Sequence, residues 1–217
     1  MLASDTQRQK LVDFFHTGTR QVYKKGEYIV RPGDSPRGVL YIEKGFVKAH
    51  DITKYGEENV LIIRKPGELV GLTFAVIDRD STIIYSALSE VTLWLVQFER
   101  FQSELSRNPD IAVPMLDMVT TMYHIHGGRI MTLAYRTVRE RLASFLLTAI
   151  ERFGTESASG YAIEVPLRHH DIASSISATR ETTSRSLADF ERKGIISQEH
   201  KSLVILDKSA LEKMLLV

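Results

Sequence analysis

The hydrophobic pattern of this chain changes period near Phe98, and that change sets apart two unlike halves. Before it, glycines recur at short intervals: Gly26, Gly33, Gly38, Gly45, Gly56, Gly67 and Gly71. Between them lie β-branched and aromatic runs, Tyr28–Val30, Val39–Ile42, Phe46–Ala49 and Val60–Ile63. Two further runs, Ile83–Ala87 and Thr92–Phe98, follow. Short strands with evenly spaced turn signals predict an antiparallel sandwich or barrel. A short amphipathic helix, Thr6 to Phe15, precedes them.

Beyond Phe98 the spacing is helical. Phe101 and Leu105 share a helix face, and that helix stops near Asn108-Pro109. A long helical region runs on to about Arg152, with Pro114 as a break or a first-turn residue. It carries two apolar stripes, Met115-Met118-Met122-Ile125 and Leu116-Val119-Tyr123-Ile130-Leu133. Both stripes need cover. If one packs on the β part, the other stays wet unless a second subunit covers it, so a homodimer with paired helices is expected. The alternative is one helix buried inside a single domain. Two adjacent glycines, Gly127 and Gly128, cost helix stability of about 1 kcal/mol each. They point to close approach by a partner helix, the β part or a bound effector.

The last third reads as a soft loop (Gly154–Gly160), a strand (Tyr161–Val165), two helices, a hairpin and a final helix (Lys208–Leu215). The helices are His170–Ser174 and Thr179–Lys193, with Ser177 or Thr179 as cap of the second. Ile172, Ile176, Ala178, Leu187 and Phe190 fall inward. Arg180, Glu181, Ser184 and Arg185 fall outward, at the end of the helix that would enter a DNA major groove; Thr182 stands among them. Arginine matches the acceptors of guanine, and glutamate accepts from the cytosine amine. Arg168, His169 and His170 open the first helix, where free amides favour a phosphate. Strands Ile195–Gln198 and Leu203–Leu206, joined by EHKS, form the hairpin or wing. Thr183 and Ser186 stand where a tight motif prefers bulky aliphatics, and Ser177 stands where glycine is common.

Composition limits the chemistry. Net charge is +1, so a positive footprint must be local. No apolar run is long enough to cross a bilayer, and MLASDTQRQK lacks the apolar core of a secretory signal, so a cytoplasmic location is expected. With no cysteine, disulfides, thiolate metal sites and cysteine-ligated iron–sulfur clusters are excluded. His124 and His126 lie on roughly opposite sides of a helix and cannot easily share a metal. His16, His50 and His200 read as surface residues.

Over nearly its full length the chain resembles the Crp/Fnr family of bacterial transcription regulators. YKKGEYIVRPGDSPRGVLYIEKGFVKA follows the repeat of that family's β-roll. PGELVG resembles the turn opening its effector pocket, FERFQSELSRNPDI the helix and linker after it, and RETTSR the recognition-helix motif. The resemblance implies an α+β fold: an N-terminal antiparallel, jelly-roll-like β-roll sensor (1–108), a dimerisation helix (109–135) and a C-terminal winged helix-turn-helix (136–217). It implies a homodimer on a two-fold symmetric double-stranded DNA operator, with Arg180, Glu181 and Arg185 as base readers, Ser184 as a further one, and RNA polymerase as a partner. Thr179 joins the DNA-facing set as the cap of that helix.

The same resemblance places an effector pocket at Gly71, Leu72, Thr73, Ser81, Thr82, His126 and Gly127. The cyclic-nucleotide binders of the family carry a glutamate after the pocket glycine and an arginine before a serine or threonine. Here Leu72 follows Gly71, and Ser81-Thr82 has no arginine before it. Burying a phosphate without a cation is costly, so cyclic AMP is not expected; Arg79 is flanked by Asp78 and Asp80, which compete for it. A less anionic small molecule, or none, is the expectation. Two other classes stay in view. A cupin-type oxygenase needs histidines and a carboxylate converging from strands; only His50 lies on one, so no enzyme is expected. An effector-binding subunit acting on a protein partner without DNA is the alternative, and a gel shift separates it.

Overall fold

Ser4 and Gln7 start the first helix, α1 (Asp5–His16), by closing a reciprocal capping box: each side chain serves the other's backbone amide. The structure is a computed structural model and describes all residues except 32, 35, 78–82, 200–201 and 217. It forms two units, one of Met1–Asp51 with Leu61–His126, the other of Ile52–Val60 with Gly127–Val217.

In the first unit α1 leads into strands β1 (Thr19–Tyr23), β2 (Tyr28–Val30), β3 (Gly38–Lys44), β4 (Val47–Ile52), β5 (Glu58–Arg64) and β6 (Leu69–Val70). Helix α2 (Leu72–Ile77), strands β7 (Ile84–Ala87) and β8 (Val91–Gln97) and helix α3 (Phe98–Arg107) follow. The strands make two four-stranded sheets, ordered β1-β8-β3-β6 and β2-β7-β4-β5. Each pairing with a described register is antiparallel.

Strand β3 is apolar without interruption because both its faces are covered. Leu40 and Ile42 lie between the sheets with Val47, Val70, Tyr85 and Leu93. Val39 and Tyr41 lie on the other face with Leu11, Phe15, Phe101 and Ile111. Period-two alternation therefore feeds two cores from one strand. Phe15, Ile42, Leu93 and Phe101 are fully buried, each worth about 1.5–3 kcal/mol of transfer free energy. The chain's one tryptophan, Trp94, sits at the edge of the outer core. Its Nε1 donates to Glu43 Oε2 at 2.9 Å and its ring stands 4.7 Å from that of His16. Gly45 turns β3 into β4 at φ +86°, and a Cβ there would lie 2.1 Å from the Glu90 carbonyl oxygen. No other residue type meets both conditions.

Helix α4 (Pro109–Tyr135) starts in the first unit and ends in the second. Pro114 neither breaks it nor sits in its first turn: the helix runs through with Pro114 buried. The Asp117 carboxylate accepts from the amides of Leu2 (2.8 Å) and Ala3 (2.9 Å). Those bonds, Leu2's first, hold the Asp117 carboxyl below the ordinary aspartate range. The long helical region ends at Arg136-Thr137, where Thr137 and Glu140 close a second capping box and begin α5 (Val138–Phe153). Arg141 fastens the corner, its guanidinium donating to the carbonyls of Arg136 (2.9 Å) and Leu133 (3.0 Å).

The second unit continues with β9 (Gly154–Ser157), β10 (Gly160–Ile163), α6 (His169–Ser175), α7 (Arg180–Arg192), β11 (Ile196–Glu199), β12 (Ser202–Ile205) and α8 (Lys208–Lys213). Its sheet order is β11-β12-β10-β9. The stretch expected as a soft loop is thus mostly strand β9, an exposed edge paired to β10 alone. Arg129 of α4 joins the 52–60 segment to α6, donating to Val60 O (2.7 Å) and Ser175 O (3.1 Å). His50, expected at the surface, is buried at 3% exposure in β4, while His16 is exposed. His200 lies outside the described residues.

Thr183 in α7 has no exposed surface, and among the described residues its hydroxyl finds no hydrogen-bond partner. A buried unpaired hydroxyl costs about 1–3 kcal/mol. Thr183→Val keeps the shape and removes that cost. It should raise the unfolding midpoint by about 2–4 °C, measured by thermal melting; an unchanged or lower midpoint would contradict the orphaned hydroxyl.

Candidate nucleic-acid interface

Leu187 and Phe190 are fully buried, so the rotation of α7 about its axis is fixed from within. Ile172 of α6 and Ile176, which caps its end, are buried at 2% each and Ala178 is half-buried. The turn between the helices places Ser177 at φ +51°, the left-handed conformation that usually selects glycine. Thr179, not Ser177, caps α7: its hydroxyl accepts from the Thr182 amide at 3.2 Å.

With that face inward, Arg180, Glu181 and Arg185 are exposed and Thr182 and Ser184 are half-buried. All five lie on the first turn and a half of α7. Among the described residues no protein partner holds the side chains of Arg180 or Glu181. Arg185 Nη2 donates only to Thr182 Oγ1, at 3.4 Å. Ser184 is engaged, with its Oγ 2.9 Å from His169 Nδ1. The other ring nitrogen of His169 lies 2.9 Å from Gln198 Oε1 on β11. His169 is thus a brace between α7 and the hairpin rather than a free phosphate donor. Arg168 caps α6, its amide donating to Asp171 Oδ2 at 3.0 Å, and its side chain is exposed. His170 Nε2 lies 3.8 Å from Glu58 Oε1.

Two residues of this face had no signal in the sequence. Arg139, at the start of α5, lies far along the chain from α7, yet its guanidinium covers the Phe190 ring at 5.3 Å and pairs with Asp189 at 3.0 Å. Together with Thr182, Arg185 and Ser186 they line a cleft of about 350 Å³. Gln198 is one polar residue in a strand, and only pairing brings it to His169.

The residues expected around an effector are less gathered. Gly71 is buried at φ +84°, and a Cβ there would lie 3.1 Å from Gly38 O, so the backbone alone requires glycine. Leu72 is half-buried and Thr73 exposed, both in α2. His126 and Gly127 are half-buried in α4. Ser81 and Thr82, with Asp78, Arg79 and Asp80, lie outside the described residues. A cavity of about 410 Å³ in the first unit is lined instead by other residues, Tyr23, Val30, Arg37, Leu40 and Leu95 among them. At Gly127 and Gly128 an added Cβ would meet nothing within 4 Å beyond its own helix, so among the described residues none is the close neighbour the paired glycines suggested. Among the described residues no cluster of histidine and carboxylate side chains is placed to hold a metal, and no helix is long and apolar enough to cross a membrane.

Asp189 gathers three cations: Lys193 Nζ at 2.8 Å, Arg139, and Arg192. The Lys193 ammonium first, then Arg192, hold its carboxyl below the ordinary aspartate range. A carboxyl depressed by folding contributes stability above its unfolded pKa and loses it as pH falls through the lower folded value. An NMR titration should therefore place the Asp189 midpoint below that of a peptide aspartate, and Lys193→Ala should raise it; a midpoint at the peptide value would contradict the pairing.

Known proteins fit this architecture. The chain matches the Crp-like helix-turn-helix domain over residues 140–214 and the cyclic nucleotide-binding domain over residues 20–108. It is 30% identical over 193 residues to the global nitrogen regulator of Synechococcus elongatus, covering 88% of this chain and 87% of that one. It is 28% identical to the transcriptional activator protein anr of Pseudomonas aeruginosa, covering 87% and 77%. Against the CRP-like cAMP-activated global transcriptional regulator of Mycobacterium tuberculosis it is 28% identical, covering 98% and 91%. Among solved structures, a CooA mutant from Carboxydothermus hydrogenoformans superposes with a TM-score of 0.79 at 21% identity, covering 97% and 96%. FixK2 from Bradyrhizobium japonicum gives 0.76 at 21%, covering 91% and 96%. At those identities the structural likeness speaks for the fold.

Proposed function

The chain belongs to the Crp/Fnr family of DNA-binding transcription regulators, and from that membership we propose that it acts as a cytoplasmic homodimer on a two-fold symmetric DNA site. One observation carries the reading: Arg180, Glu181 and Arg185 stand outward at the start of α7 while Leu187 and Phe190 lock its other face. Arg180 and Arg185 read guanine edges, Glu181 reads a cytosine amine, and Thr182 and Ser184 add hydroxyl contacts. Thr179, Arg168 and His170 lie beside the phosphates and set register, not sequence. Arg139 adds a cation to the same face. RNA polymerase is the partner through which binding changes transcription.

The dimer rests on α4. Its first stripe is covered within the chain, with Met115 buried and Met118, Met122 and Ile125 packed on the cores of the first unit. Its second is largely bare: Leu116, Val119, Tyr123 and Ile130 are exposed, Tyr123 at 80% and Ile130 at 67%, while Leu133 is half-buried. Apolar surface of that extent along one helix face calls for cover. The open space beside Gly127 and Gly128 leaves room for a partner helix or an effector. Residues 1–108 act as sensor, 109–135 as dimer seam and 136–217 as reader. Any effector is less anionic than a cyclic nucleotide, because the sequence has no arginine directly before Ser81-Thr82 to neutralise a buried phosphate. It shifts the equilibrium only by binding one arrangement of the dimer better than the other. The tie from Arg129 to Val60 and Ser175 gives such a shift a physical route to α6.

Arg180→Ala and Arg185→Ala should each lose about 1–3 kcal/mol of discrimination between a selected duplex and a scrambled one. Wild-type discrimination in both variants would sink the reader assignment. Ile130→Glu places a charge in the seam and should convert dimer to monomer in sedimentation equilibrium at micromolar protein. A wild-type protein that sediments as a monomer under the same conditions would remove the seam altogether.

A further inference from the structure

Serine reads bases poorly because its hydroxyl both donates and accepts. Ser184 is different, because its proton is spoken for. The Glu191 carboxylate accepts twice from Gln198, Oε1 from its backbone N at 3.0 Å and Oε2 from its side-chain Nε2 at 3.5 Å. A carboxylate can only accept, so the Gln198 side chain turns its Nε2 to Glu191 and its Oε1 to His169. That Oε1 lies 2.9 Å from His169 Nε2, and an amide oxygen also only accepts. The imidazole must therefore carry its hydrogen on Nε2. A neutral ring has one such hydrogen, so Nδ1 is a bare lone pair facing Ser184 Oγ at 2.9 Å. The Ser184 hydroxyl donates to it.

We propose that His169 is a positioning residue that fixes the polarity of base reading at Ser184, leaving that hydroxyl only lone pairs to offer DNA. Such an oxygen accepts from the N6 amine of adenine or the N4 amine of cytosine and faces repulsion from guanine O6 and thymine O4. The wing thereby sets what the recognition helix reads, through a relay of Glu191, Gln198 and His169. This rests on α7 entering the major groove.

The test uses the full-length protein at mildly alkaline pH and a duplex selected by it from a randomised pool. Ser184→Ala identifies the nucleotide that Ser184 faces as the position whose selectivity it flattens. In the wild type that nucleotide should be adenine or cytosine. Exchange between those two should matter little, and exchange to guanine or thymine should weaken binding about fivefold. His169→Ala should shrink that penalty to about twofold or less and leave selectivity at the positions read by Arg180 and Arg185 intact. Nitrogen-15 NMR of the wild-type imidazole, which needs no variant to fold, should show the Nε2-protonated tautomer. An Nδ1-protonated ring overturns the proposal, as does a guanine or thymine preference at that position. Selectivity lost with Ser184→Ala but kept with His169→Ala overturns the relay and leaves groove reading by α7 standing. Selectivity unmoved by Arg180→Ala, Arg185→Ala and Ser184→Ala alike overturns both.

Discussion

The burial of Leu187 and Phe190 decides the direction in which everything else on α7 looks. A helix has no preferred rotation of its own; it acquires one from the stripe it hides. Once two side chains without exposed surface fix that stripe, Arg180, Glu181 and Arg185 are carried outward as a set. Thr179 sets where the helix begins, so the outward set falls on its first turns, where a helix end can meet a base edge. The left-handed Ser177 is tolerated because packing on both sides of the turn over-determines it.

The β-rich unit solves a different problem. Its central strand β3 serves two cores at once, one between the sheets and one beneath α1, α3 and the start of α4. That arrangement explains why the segment from Val39 to Ile42 has no polar alternation although it is antiparallel. It also explains why glycine is required where strands turn or cross closely: Gly45 and Gly71 meet backbone oxygens that a side chain would strike.

Much of this was legible in the residues. The runs with period-two or continuous apolar character emerged as strands within a residue or two, except that β4 extends three residues past Ala49, and the helix pair with its hairpin emerged at the expected places. What escaped notice has physical reasons. Strand β1 (TRQVY) is mostly exposed and lacks an apolar face, and β6 is two residues long, so neither leaves a periodic trace. Strand β9 is polar because it is an exposed edge held only by β10. Pro114 did not end its helix, since burial outweighed the one lost hydrogen bond. Arg139 and Gln198 could not be found from local pattern at all: their roles come from tertiary neighbours, Asp189 and Phe190 for one, His169 for the other. The expected pocket residues were drawn from resemblance; two of them, Ser81 and Thr82, lie outside the described residues, and one cavity of the first unit is lined by other side chains.

The solitary Trp94 gives this molecule an internal reporter whose address is known. It belongs to the β-rich unit, beside His16 and Glu43, and no indole lies in the second unit. Ultraviolet emission therefore follows the melting of one half, while far-ultraviolet dichroism, to which helices of both units contribute, follows the two together. Superimposing the two denaturation curves would reveal whether the halves come apart together or in sequence, without attaching any dye.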